Sequence, residues 1–167
     1  AYLDWTQRQL FADTAEVEYL ERQASIQGIY RKAATTAEGE LTVTMTEGAR
    51  IPVGTEFIAP DLETRYATTA EPETGSSVVT VRCTTAGAAG NAEAGLVYTL
   101  ASPVTGVQAE ATGGEMSGGA DRESDDDLRS RLLYRLQNPP RGGTASDYVA
   151  WAQEVPGVTR ARSEERR

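Results

Sequence analysis

The sequence predicts an α+β fold, with N-terminal helices, a β-rich antiparallel middle domain and a C-terminal helical segment. Three observations predict it. Apolar residues recur at helical spacing near both ends: Leu3, Leu10, Val17, Leu20 and Ala24 at the start, and Leu128, Leu132, Leu133 and Leu136 towards the finish. Between them, Leu41, Val43 and Met45 alternate with Thr42, Thr44 and Thr46, and residues 78–84 alternate in the same way, the period of a half-buried strand. Short apolar stretches separated by turn residues then suggest a compact antiparallel sheet or small barrel. The expected segments are 1–38 (helical), 39–112 (β-rich) and 113–167 (linker plus helical).

Residues 1–28 read as two helical pieces. Asp13 and Glu16 have capping-box spacing, which predicts a break near Ala12 and a restart, and Gly28 supplies the stop. A Glu47-Gly48 turn leads into Ile51-Pro52-Val53-Gly54-Thr55-Glu56-Phe57-Ile58. A turn at residues 61–63 precedes a weaker strand at 66–69. Residues 87–95 are a loop, and 96–100 and 106–111 are candidate short strands. Strands so rich in threonine form readily but bury little area. Residues 112–119 read as a Gly-rich linker. Ser124 then caps a helix running to about Gln137.

The densest punctuation is Asn138-Pro139-Pro140-Arg141-Gly142-Gly143-Thr144-Ala145-Ser146-Asp147-Tyr148. Pro139 lacks an amide hydrogen and biases Asn138 away from helix. Gly142 and Gly143 admit backbone angles other residues resist. Thr144 and Asp147 have the positions of a capping box, and the carboxylate suits the positive helix end. Tyr148, Trp151 and Ala152 share a face, and Pro156-Gly157 ends the helix. A glycine pair before a helix can also cradle phosphate. This one lacks the Lys-Ser/Thr of a P-loop and follows no strong strand, so a structural hinge is the better reading.

Composition narrows the function classes. Apolar residues make up 39% of 167, and the net charge of −9 argues against general nucleic-acid binding. The charge is uneven: residues 1–127 hold 8 basic and 21 acidic side chains (net −13), residues 128–167 hold 8 and 4 (net +4). Opposite signs at the two ends favour head-to-tail contacts between copies; ordinary solvated surface is the bland alternative. Cys83 stands alone, so no intrachain disulfide forms, and its strand setting predicts a small buried apolar residue. No apolar run approaches a membrane span and no signal peptide is visible, which reads as a soluble protein of a reducing cytoplasm.

Catalysis finds no support. Histidine is absent, Cys83 has no evident activator, and no nucleophile elbow occurs. Asp121, Glu123, Asp125, Asp126 and Asp127 invite a calcium reading, but the glycine and glutamate that define the loop are replaced by Asp126 and Leu132. Acids at a helix start, stabilising the positive end, are the simpler account. No cofactor or metal is expected.

The hinge block, the block from Gly118 to Leu133 (Gly-Gly-Ala-Asp-Arg-Glu-Ser-Asp-Asp-Asp-Leu-Arg-Ser-Arg-Leu-Leu), the N-terminal Phe11-Ala12-Asp13-Thr14-Ala15-Glu16 with Tyr19-Leu20-Glu21-Arg22, and Ile51-Pro52-Val53-Gly54-Thr55 together resemble the baseplate J-like family. These are wedge proteins of contractile-tailed phages, notably Mu-like phages and prophages. The resemblance spans residues 1–162 with the blocks in order. The family has more chain on both sides, so this looks like a central fragment.

The resemblance implies a structural subunit of the baseplate wedge, acting in assembly and in the switch that triggers sheath contraction. Its partners would be other wedge proteins and copies of itself in a ring around the tail tube, with no nucleic acid and no membrane. The location would be the virion tail baseplate, assembled in the bacterial host cytoplasm. Within it, Tyr148, Trp151 and Val155 form a candidate contact face; packing on the Leu128–Leu136 helix is the competing reading. Leu3, Leu10 and Val17 are a second candidate surface. Arg129, Arg131, Arg135 and Arg141 are candidates for an acidic neighbour, and Gly142 and Gly143 for a pivot. The alternative is a β-rich extracellular adhesion or carbohydrate-binding module, whose aromatic platform would fall to Tyr66 and Tyr98.

Overall fold

A computed structural model describes residues 2–72, 76–140 and 142–164. The chain forms two units, residues 34–121 and residues 1–33 together with 122–167.

The first unit is a closed antiparallel barrel. Its strands are β1 (Glu38–Met45), β2 (Glu56–Ile58), β3 (Arg65–Thr68), β4 (Val78–Cys83), β5 (Val97–Leu100) and β6 (Val107–Gly113), in the order β1-β4-β3-β2-β5-β6, with β6 closing on β1. Closure leaves no open edge between these strands. Two-residue alternation sends Leu41, Val43, Phe57, Tyr66, Val79, Val81, Cys83, Tyr98, Leu100 and Ala111 inward, and turns Thr42, Thr44, Thr80, Thr99 and Thr112 outward. Cys83 is therefore the small buried residue its pattern predicted.

Tyr66 and Tyr98 fill the barrel interior edge to face, centroids 5.4 Å apart, and the Tyr66 hydroxyl donates to the Gly90 carbonyl at 2.6 Å. Burial pushes the pKa of both phenols up. Neither ring is available as an exposed platform, which removes the feature that the adhesion or carbohydrate-binding alternative required.

The expected linker at 112–119 is instead part of the barrel. Met116 exchanges backbone hydrogen bonds with Ala92, Ser117 exchanges them with Glu38, and Ala120 pairs with Thr35. Met116 is buried in the core. The glycines serve close approach here. A Cβ on Gly113 would strike the Tyr98 ring, and one on Gly119 would come within 2.5 Å of the Gly87 carbonyl.

The second unit contains α1 (Tyr2–Gln9), α2 (Val17–Ile26), α3 (Asp125–Gln137) and α4 (Ala145–Ala152). Its core is Ala12, Ala15, Leu20, Ala24, Leu128 and Leu132. The break between α1 and α2 falls where expected, but its chemistry differs. Glu16, not Asp13, occupies the N-cap of α2 without a side-chain cap of its own. The buried Gln9 supplies the acceptor, its Oε1 taking the Glu16 amide at 2.8 Å. A side chain from the preceding helix thus satisfies one of the orphan donors. The turn also rephases the apolar stripe. Leu20 and Ala24 are buried, whereas Leu3, Leu10 and Val17 are exposed.

At α3 the Ser124 hydroxyl accepts from the Asp127 amide at 3.1 Å, the cap read from sequence. At α4 the capping box forms: Asp147 Oδ2 accepts from the amides of Gly143 and Thr144 at 2.7 and 2.8 Å.

The two units differ in charge. The barrel segment has 3 basic and 12 acidic side chains, net −9, while the helical segments have 13 of each, net zero. Most of the end-to-end asymmetry of the sequence is thus the acidity of the barrel, and only the remaining −4 of residues 1–33 and 122–127 is offset by the +4 of residues 128–167 within the helical unit.

Candidate interaction surfaces of the helical unit

Helix α4 turns Asp147 inward and presents Tyr148 and Trp151 outward, with Val155 just beyond its end. All three are more than half exposed (57%, 51% and 54%). The two rings meet edge to face at 5.1 Å. The alternative of burial against α3 does not occur. Tyr134 of α3 reaches α4 instead, its hydroxyl donating to the Ser146 carbonyl at 3.3 Å. The result is an exposed aromatic knob.

A second apolar surface is concave. A groove of about 470 Å³ has Leu132 on its floor, with Leu10, Tyr19, Ile26 and Leu136 along its walls. Sequence reading placed Leu10 on a surface stripe but missed Ile26 and Leu136 as its companions, since they come from α2 and α3. Tyr2 and Trp5 of α1 and Tyr19 of α2 form a chain of ring contacts at 6.2 and 5.7 Å. Leu3 is exposed on the same helix, and Val17 is half exposed at the start of α2.

The arginines fare unequally. Arg129 pairs with Asp126 at 2.7 Å and donates to the carbonyls of Ala12 and Ala15 at 3.2 and 3.0 Å. Arg131 grips both oxygens of Glu123 at 2.7 and 2.9 Å and reaches the Tyr30 carbonyl at 2.7 Å. Both guanidinium groups thus serve the fold of their own unit. Arg135 makes no ion pair among the described residues, and Arg141 lies outside them.

Glu123 was read as one of an acidic run, yet it is an organising group. Its carboxylate, 4% exposed, also accepts the Lys32 amide at 3.1 Å. Arg31 ties Glu21 and Asp125 together at 2.6 Å each. Lys32 Nζ donates to the carbonyls of Val155 and Val158 at 3.1 and 2.8 Å, and burial, then the nearby Arg131 charge, lowers its pKa. The signal for this node was the spacing of Arg129 and Arg131 on α3, but their partners stand up to 117 residues away in sequence.

Gly142 and Gly143 take φ of +83° and +120°, the region their residue type predicted. Among the described residues, no group of three or more His, Cys, Asp or Glu side chains is placed to hold a metal, and no helix is long and apolar enough to cross a membrane. An open groove of about 610 Å³ on the barrel, between residues 91–94 and 115–118, carries the carboxylates of Glu93 and Glu115.

Fold and surfaces together define a two-unit α+β protein: a closed, acidic antiparallel barrel and a charge-neutral helical unit with apolar surface left open. Residues 40–119 match the family described as Baseplate J-like protein barrel domain. The barrel segment is thus a baseplate J-like barrel domain. It is 45% identical over 162 residues to the Mu-like prophage FluMu protein gp47 of Haemophilus influenzae, covering 96% of this chain and 46% of that protein. It is 42% identical over 163 residues to the baseplate protein gp47 of Escherichia phage Mu, covering 96% and 45%. With the phage-like element PBSX protein XkdT of Bacillus subtilis the figures are 34% over 164 residues, 96% and 43%. The chain thus spans under half the length of these curated relatives.

Proposed function

We propose that this chain is a structural part of a contractile-tail baseplate wedge. The observation that carries the reading is the 42% identity, along 96% of the chain, to a protein named as a baseplate protein of phage Mu. In this reading its work is assembly and conformational switching, without bond chemistry. It contacts other wedge proteins and copies of itself in a ring around the tail tube, and takes part in the change that releases sheath contraction. It is assembled in the host cytoplasm and ends in the virion tail baseplate. No nucleic acid or membrane is involved. Two surfaces of the helical unit suit such contacts, the α4 knob and the apolar groove, because exposed apolar patches of this kind mark protein interfaces.

The test is to place an epitope on the full-length protein and label purified tails with gold. Label at the distal end of the tail is expected. Particles that form normally without any label would overturn the reading.

Gly142 and Gly143 are the proposed pivot between wedge states, since their positive φ lets the segment before α4 change direction. Replacing both with valine forces a branched residue into angles it resists, at about 1–2 kcal/mol each. Tails carrying the double variant are expected to fail to assemble while the barrel, followed by hydrogen exchange of its strand amides, unfolds normally. Equal damage to barrel and assembly would end the pivot idea.

A further inference from the structure

The knob and the groove belong to the same unit but to different helices, and each has the shape the other lacks. We propose that the α4 knob of one copy, Tyr148 and Trp151 with Val155, seats in the Leu10–Tyr19–Ile26–Leu136 groove of a second copy. This inference rests on the assembly role proposed above and names the residues of one contact within it.

Four features favour a second copy as the occupant. The surfaces are complementary in form: a groove of about 470 Å³ is within the range that buries a group the size of an aromatic pair. They are complementary in charge. The groove wall carries Arg22 and the knob is flanked by Glu154, and neither side chain has an ion-pair partner among the described residues. The rim is otherwise neutral, with Gln23 and Gln27. Finally, the helical segments carry no net charge, so two of them approach without the repulsion that would separate two barrels of net −9.

Because the two surfaces are different patches, the contact is heterologous and can repeat from copy to copy until it closes. One aromatic pair buries about 150–250 Å² per ring, well short of the roughly 800 Å² per side of a standard interface. A single contact is therefore weak, and repetition or neighbouring proteins must reinforce it.

Sedimentation equilibrium of this chain at rising concentration tests the proposal. The mass is expected to increase with concentration up to about 1 mM, the range of weak contacts. Trp151→Asp and Ile26→Asp, both at exposed positions, are each expected to remain monomeric with unchanged far-ultraviolet circular dichroism. Mixed in equal amounts they should stop at a dimer, since one supplies an intact groove and the other an intact knob. Arg22→Glu should weaken association about ten-fold through like-charge contact, and Arg22→Glu combined with Glu154→Arg should restore it. A wild-type chain that stays monomeric throughout, or association indifferent to these substitutions, overturns the contact. If the groove variants instead lose a different baseplate protein while self-association is absent, the occupant is that protein and the proposal is also overturned. A monomeric chain whose full-length form still enters tails defeats this contact alone; self-association through these residues without entry into tails defeats the baseplate reading alone.

Discussion

Glu123→Ala is expected to melt the helical unit and leave the barrel standing. The carboxylate takes two hydrogen bonds from Arg131 and one from the Lys32 amide while almost fully buried. Its removal leaves a guanidinium that is 14% exposed without its counter-charge. Breaking a buried pair from one side costs about 3–5 kcal/mol, a large part of the stability of a small folded unit. The loss is confined to the carboxylate, because the residue's amide still donates to the Lys32 carbonyl and its carbonyl still accepts from Arg31 in the alanine variant. Trp5 and Trp151 both lie in the helical segments, so tryptophan fluorescence follows that unit, and hydrogen exchange of the strand amides follows the barrel. Urea unfolding followed by tryptophan fluorescence should shift strongly to lower denaturant, and exchange of the barrel amides should not. An unmoved tryptophan transition would show that Glu123 is replaceable.

Gly113→Ala is expected to have the opposite pattern. The added methyl would meet Cε2 of Tyr98, with Cδ2 at 3.0 Å and Cζ at 3.2 Å. That ring is fully buried and braced by Tyr66, so it has no free space to rotate into. Overpacking of this kind costs about 3 kcal/mol, at the upper end of its usual range. Gly114→Ala is the control. Its Cβ would meet the Glu40 carbonyl at 3.3 Å, a contact that a small shift relieves. The barrel amides of Gly113→Ala should therefore lose hydrogen-exchange protection at lower urea than those of Gly114→Ala, with tryptophan fluorescence alike in both. Equal melting of the two variants would mean that Tyr98 yields easily.

These two residues also mark where the sequence was readable and where it was not. Strands such as β1 and β4 were legible because alternation along one strand encodes which side faces inward. The ends of α3 and α4 were legible because Ser124, Thr144 and Asp147 are local signals, acting within three residues. Gly113 was not legible. A glycine-rich stretch is the same in composition whether it is loose or pressed against a ring, and Tyr98 stands 15 residues away in the chain. Glu123 was hidden by its acidic neighbours, since only long-range geometry separates the carboxylate gripped by Arg131 from the solvated Asp126. The exposed knob was half legible. Helical spacing put Tyr148 and Trp151 on one face, but whether that face met α3 or solvent depended on packing that no spacing encodes.

The helical core brings Leu20 against Leu128 and Leu132, with the whole barrel segment lying between them in sequence. On a ribosome this separation becomes a delay. At about 5–20 residues per second, α2 waits roughly 5–20 s for its partner helix to be made. During that interval its apolar face lacks Leu128 and Leu132, the partners that α3 supplies, while the acidic barrel is completed and can close. Synthesis rate then sets how long that face stays open.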